Sequence, residues 1–341
     1  MKPGRLLFCL AISVFPLRLH AADNLGRSKE PSAFLNLGIG VRSAGMGKAV
    51  TSVSDDISAA YWNPSGLSQL RTYELQTMSS SLGLDRSFYF VGLGIPIRGY
   101  WDQSDLDYVE EEENTKPSKF FLPIARWNIS LAFGSAIYRV DRIDRRDDFG
   151  NKQGEFSDVE YVYFFSMGHD VLEDVSLGYT YRYHVQRLEN SSAKGGGFDI
   201  GLTYHPSYLR VFKAGITAMN VIAGQLTWKA VDSVGITDEY EESMPRKINL
   251  GLSYRFRIPD LILSLDLHTS KDETPTTHGG VEFKPVRFLA LRGGVSQQTP
   301  SFGFGFLQNV GEKFKIALDY AYVFGIDVVQ ESHRFSLTLL Y

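Results

Sequence analysis

Cysteine is nearly absent from this chain. The single one, Cys9, lies close to the amino terminus, so everything after it is without a disulfide framework, a thiol nucleophile or a cysteine metal site. Long apolar runs are missing too: past the first twenty or so residues, nothing approaches the roughly twenty consecutive apolar residues of a membrane helix. If such a chain crosses a membrane, it does so with strands. Basic excess is lacking as well, with 35 Lys and Arg against 39 Asp and Glu, which excludes nucleic acid as a partner. Catalytic signatures are wanting. There is no G-x-S-x-G elbow, the seven histidines never fall at H-x-x-x-H spacing, and Gly38-x-Gly40 has Ser43 where a third glycine belongs, with no βαβ unit after it. No enzyme, cofactor or metal is expected. The acidic run 110–113 reads as solvated loop.

The amino terminus has the form of a secretory signal peptide, residues 1–21. Lys2 and Arg5 precede an apolar run from Leu6 to Phe15, and Ala21 and Ala22 offer small residues for cleavage. A lipoprotein reading of Cys9 is opposed by Phe8 and by the short apolar stretch before it. Removing Lys2, Arg5 and Arg18 from the 35 basic residues leaves 32 against 39 acidic ones, so the exported chain is more acidic still. No linker or change of composition divides the rest, which reads as one large β domain. Its 13% aromatic content and 32 glycines suit a barrel with aromatic girdles.

Alternation then sets the strands. Val175, Leu177, Tyr179, Tyr181, Tyr183 and Val185 share one face, against Ser176, Gly178, Thr180, Arg182 and His184 on the other. The same pattern runs through 247–257, 261–270 and 314–325. Candidate strands lie near 72–80, 88–97, 127–139, 158–168, 174–188, 197–206, 209–220, 247–257, 261–270, 277–284, 287–297, 301–309, 314–325 and 333–341. That is about fourteen, many of about nine to twelve residues, the length a tilted transmembrane strand needs. Even-numbered connections are short, as periplasmic turns should be, except 98–126. Stretches 140–157 and 221–246 read as long polar loops on the other side. The predicted fold is an all-β, transmembrane antiparallel β-barrel.

One segment breaks the pattern. Residues 33–70 are rich in small residues, with Gly38, Gly40, Gly45 and Gly47 close together, then a short helix-like run closing on Asn63-Pro64-Ser65-Gly66. Such glycine density allows close backbone packing and suits a compact plug, and Pro64 with Gly66 marks a turn. The run GVRSAGMGKAVTSVSDDISAAYWNPSGL resembles the amino-terminal signature of the FadL-type outer-membrane transporters and of their PorV/PorQ-like and spirochaetal UPF0164 relatives. Lys48 and Ser65 depart from it, standing where glycine and alanine are commoner. The resemblance implies that residues 22–70 are a hatch inside a barrel of residues 71–341, in a bacterial outer membrane. It marks Gly45, Gly47, Asp55, Asp56, Asn63, Pro64 and Gly66 as hatch or gating residues. It also implies passive uptake of long-chain fatty acids or similar hydrophobic molecules, through a gap in the third strand; the candidate here is 127–139, where Gly134 weakens the ladder.

The polar strand faces would line the lumen with Arg182, His184, Asp199, Asn249, Arg255, Asp266, His268, Glu282, Lys284, Arg292, Lys315 and Asp319. On the plain reading these charges pair with one another and hold the hatch. On the sharper one, Arg182 or Arg255 binds a ligand carboxylate through two parallel hydrogen bonds. The final strand ends in Tyr341 with Phe335, Leu337 and Leu339 on its face, which resembles the signal read by the barrel-assembly machinery. Outer-membrane lipid and a hydrophobic small molecule such as a fatty acid are the other expected partners. Rival functions are a PorV-like binding barrel serving secretion or surface attachment, and a surface antigen without transport.

Overall fold

A computed structural model describes residues 33–98, 128–147, 149–222, 224–231, 237–271, 274–311, 313–325 and 331–341. The predicted signal peptide and the 98–126 connection fall almost wholly outside these residues.

Among the described residues, sixteen antiparallel strands follow in chain order. The first seven are β1 (Glu74–Ser81), β2 (Arg86–Arg98), β3 (Asn128–Arg146), β4 (Lys152–Leu172), β5 (Val175–Leu188), β6 (Ser191–Tyr204) and β7 (Phe212–Ile222). A short hairpin, β8 (Gln225–Val231) and β9 (Thr237–Ser243), comes next. The rest are β10 (Lys247–Phe256), β11 (Leu261–Ser270), β12 (Thr276–Val286), β13 (Leu289–Ser296), β14 (Thr299–Val310), β15 (Phe314–Val323) and β16 (Ser332–Leu340). β1 pairs with β16 and β7 with β10, so all strands but the hairpin close into a fourteen-strand barrel. Tyr73 and Tyr341 exchange backbone hydrogen bonds of 2.9 and 3.0 Å where the two ends of the barrel meet. We call this the terminal end, and the opposite one the loop end.

The alternation in the sequence becomes an inside and an outside. Along β10, Asn249, Gly251 and Ser253 are buried, while Ile248, Leu250 and Leu252 are exposed. Similar exposed rows, including Leu263, Leu265, Phe302, Phe304, Phe335 and Leu337, circle the barrel. A water-soluble protein does not present so continuous an apolar band, and hydrocarbon is the medium that covers it.

Three expectations need correction. The stretch 140–157 is largely strand: β3 and β4 run to 19 and 21 residues and pair on from Ile143–Phe156 to Arg146–Lys152, beyond the reach of their neighbours. Within 221–246 lies the β8–β9 hairpin, paired with the loop end of β6 and packed around Ala193, Leu226, Trp228 and Met244. Finally, no gap opens in β3. Its ladder to β2 is continuous from Val140 to Asn128, with Gly134 opposite Gly92, and its pairing to β4 is regular through the same span. Gly134 faces the Phe90 ring, which fills the space a side chain would take. One wall irregularity lies between β6 and β7, where the register shifts between Phe198 and Ile200 and Asn220 adopts a φ of 55°.

Candidate functional site

Residues 33–70 pack against the inward strand faces. They form a 3₁₀ turn (Ala33–Leu37), α1 (Val41–Gly45), α2 (Ala59–Trp62) and a second 3₁₀ turn (Pro64–Gln69). Helices this short are not stable alone; tertiary contact holds them.

That contact rests on rows of wall glycines. Gly168, Gly178 and Gly201 stand directly opposite one another on β4, β5 and β6. Their bare backbone forms a seat for Asn63, Pro64 and Ser65: a Cβ on Gly178 would lie 2.1 Å from the Pro64 carbonyl carbon, and one on Gly201 2.1 Å from Asn63 Oδ1. Gly215 and Gly251, paired on β7 and β10, receive Thr51 and Ser52 in the same way, and Gly280 and Gly294 receive Met46 and Gly47. Among the residues marked by the signature, Gly45 lies against Gly303 of β14, Gly47 (φ 60°) against the Val295 backbone, and Gly66 against the Ser54 carbonyl.

Directional bonds fix the seat. Asn63 Nδ2 donates to the Thr51 carbonyl at 2.7 Å and to Thr203 Oγ1 at 3.1 Å, while its Oδ1 accepts from Ser65 Oγ at 2.7 Å. Pro64 follows as the first residue of the second 3₁₀ turn, a place that suits its fixed φ and missing N–H. Thr180 and Thr217 donate to the carbonyls of Ala60 and Trp62, both at 2.9 Å. The Thr51 amide donates to Asp266 at 2.8 Å and the Ile57 amide to Glu74 at 3.0 Å.

Charge holds the middle. Arg42 forks onto Glu282 of β12 at 2.8 and 3.1 Å and also donates to Asp55, with Asp56 3.9 Å away. Glu282 accepts in turn from Arg292, whose other nitrogen reaches Asp319 at 2.6 Å. Desolvation opposes charge on both hatch acids. At Asp55 the Arg42 guanidinium and Lys213 outweigh it and hold the carboxyl below its ordinary value, whereas Asp56 ends above its own. Asp56 Oδ1 also accepts from the Ser58 amide at 2.8 Å, fixing the chain just before α2.

The two arginines considered for a ligand head group are not brought together. Arg182 is 4% exposed and bound to Asp199 at 2.8 Å and to Asn220 at 3.0 Å, so its charge is already matched beside the β6–β7 irregularity. Arg255 sits exposed at the terminal end, on Asp260 of the adjoining turn. The sequence reading missed Arg42, Glu74, Thr203 and the glycine rows. The parity of Gly178 and Gly251, on the inward faces of their strands, was the available signal.

Inside the barrel the wall has two characters. From β10 to β16 the inner face is polar and charged. From β2 to β4 it is largely apolar: Phe88, Phe90, Ala132, Ala136, Val162 and Phe164, with Met78 of β1, are buried in one cluster with Phe34, Ile57, Tyr61, Leu67 and Leu70, while Glu74, Gln76 and Ser80 of β1 and Ser130, Glu160 and Ser166 bring buried polar groups to the same wall. A concavity of about 500 Å³ lies not in the lumen but on the outward face, lined by Ile216, Leu250, Leu252, Leu265 and Leu267.

The fold is similar to that of a Pseudomonas aeruginosa FadL homologue (TM-score 0.55, 12% identity, covering 88% of this chain and 97% of that one). It is also similar to the Pseudomonas putida toluene transporter TodX (TM-score 0.51, 12% identity, 89% and 96% covered) and the Ralstonia pickettii toluene transporter TbuX (TM-score 0.50, 14% identity, 90% and 98% covered). At such identity the likeness is one of fold. No family model and no curated protein matches the sequence.

Proposed function

We propose that this chain is a bacterial outer-membrane barrel through which hydrophobic molecules pass passively, with residues 22–70 as its hatch, and that it is not an enzyme. The observation that carries this reading is the two-sided lumen. Polar bonds and ion pairs tie the hatch to β5–β7 and β10–β16, whereas its contact with β1–β4 is largely apolar, the bond from the Ile57 amide to Glu74 of β1 apart. An apolar molecule entering between hatch and β1–β4 replaces one apolar contact with another at little cost. Water and ions gain nothing there. The β1–β4 side is therefore the natural slip plane and the opposite side the anchor.

The structural neighbours described as toluene transporters support a hydrophobic cargo. Long-chain fatty acids are the cargo the signature favours, and closeness to the PorV-like and UPF0164 proteins rests on that signature alone. A binding role in secretion or attachment draws on the β3–β4 ribbon, which projects past its neighbours and carries Phe149 at 90% exposure near its tip.

Titration of the purified, folded chain with a ligand series of increasing chain length tests the reading. Each buried methylene contributes about 0.8 kcal/mol, so affinity should rise about fourfold per methylene while contact lasts, since 1.4 kcal/mol is tenfold. Absence of saturable binding, or affinity indifferent to length, would move the protein to the secretion or attachment class.

A further inference from the structure

We propose that the loop end of the lumen carries an oxyanion site, formed by Lys48, Lys247 and Arg334 around residues 36–38, which takes the charged head of a single-chain amphiphile. The proposal rests on the hydrophobic-passage reading and adds the head-group chemistry to it.

Three cations from three elements converge on one turn. Lys48 Nζ donates to the Asn36 carbonyl at 2.8 Å, Lys247 Nζ to Asn36 Oδ1 at 2.9 Å, and Arg334 Nη1 to the carbonyls of Leu37 and Gly38 at 2.9 and 3.1 Å. Every one of these acceptors is neutral. Among the described residues neither Lys48 nor Arg334 has a carboxylate partner. Arg334 is 2% exposed and its Nε has no hydrogen-bond partner.

A buried guanidinium without a counter-charge is costly. The other buried arginines of this lumen avoid that cost: Arg42 has Glu282, Arg182 has Asp199 and Arg292 has Asp319. Lys48 adds strain, with a φ of 67° that a lysine rarely adopts. Burial, with Arg334 and Lys247 nearby, pushes its ammonium down to about 8. An incoming anion relieves both unpaired charges.

Room and a path for the tail are both present. A cavity of about 30 Å³ adjoins the turn on its Lys247 side, between Asn36 and Arg182, and is not lined by Lys48 or Arg334; it is enough for a group the size of a water molecule. On the same 3₁₀ turn, Phe34 stacks on Tyr138 at 5.3 Å and meets Phe88 edge-on, at the loop end of the apolar β1–β4 face. Head and tail contacts thus fall within the five residues 34–38. A carboxylate, sulfate or phosphate monoester has the oxygens that Arg334 and Lys48 lack.

The test is native mass spectrometry of the full chain, released from neutral detergent, with dodecanoate, dodecyl phosphate, dodecanol and the two-chain lipid phosphatidylglycerol. Both single-chain anions should bind about tenfold to a hundredfold more tightly than the alcohol, the range for a charge-assisted hydrogen bond. Lys48→Gly should remove most of that preference while easing the backbone, which keeps the variant folded; Arg334→Gln provides the second variant. Phosphatidylglycerol binding with the same dependence on Lys48 would support the oxyanion site and name membrane lipid as its source. Equal affinity for dodecanoate and dodecanol, or an anion preference that survives both substitutions, would overturn the site and leave the passage reading intact. Failure of every probe to bind would overturn both.

Discussion

Placing one methyl group on the hatch seat should unlock the barrel without unfolding it. In Gly178→Ala the new Cβ would sit 2.1 Å from the Pro64 carbonyl carbon and 2.2 Å from the Ser65 amide nitrogen. Ordinary carbon contacts begin near about 3.5 Å, so the two backbones must part by about 1.4 Å. β5 cannot retreat, because β4 and β6 pair with it along its whole length. The hatch corner must move instead. A shift of that size breaks the bonds from Asn63 and Ser65 to Thr203, from Thr180 to Ala60 and from Thr217 to Trp62. At about 1 kcal/mol each, their loss removes roughly 4 kcal/mol from the docking of this corner. Single-channel conductance in planar bilayers, together with hydrogen exchange over residues 59–70, should therefore rise, while the heat-dependent shift of the folded barrel on SDS gels stays. Gly279→Ala is the control, since its Cβ would meet nothing closer than Val295 Cγ1 at 3.6 Å. Unchanged conductance and exchange in Gly178→Ala would refute the idea that the glycine rows seat the hatch.

Arg42→Met should destabilise hatch docking by about 3 kcal/mol, because it strips a guanidinium from Asp55 and Glu282 at once; Arg139→Met, which removes only a solvent-screened exposed pair with Asp141, should leave stability nearly unchanged. Denaturant-dependent exchange over residues 41–58 would distinguish the two, and equal effects would count against a structural role for the Arg42 fork. Anion affinity should be flat on the acid side and fall as pH rises through about 8, where Lys48 loses its proton. The ligand-free protein should behave in the opposite sense. A pKa depressed from 10.5 contributes stability above that value, and the contribution is lost as pH falls through about 8. Lys48→Gly should flatten both profiles, as calorimetric titration and thermal melts across pH 6 to 10 would register.

Much of the barrel was legible because a half-buried strand writes its environment locally. Val175 to Val185 on one face and Ser176 to His184 on the other already separate lipid from lumen, since side chains alternate at each residue whatever the strand pairs with. The number of barrel strands followed from that alternation together with the short connections between them. The glycines and the Asn-Pro turn of residues 33–70 likewise announced a segment that packs backbone to backbone. Which backbones meet was not legible. The row Gly168–Gly178–Gly201 exists only once the registers of β4, β5 and β6 are fixed, and register depends on turns and partners far apart in sequence. For the same reason Arg182 looked available until Asp199 and Asn220 were brought beside it, and the stretch 221–246 looked like loop until a neighbouring strand gave β8 an edge to pair with. Lys48 was an oddity of the motif in the sequence; only the folded chain puts it next to Arg334, 286 positions away, with no acid between them. Alternation is a property of single strands, whereas charge pairing and steric fit belong to contacts between strands, and only the tertiary structure decides those.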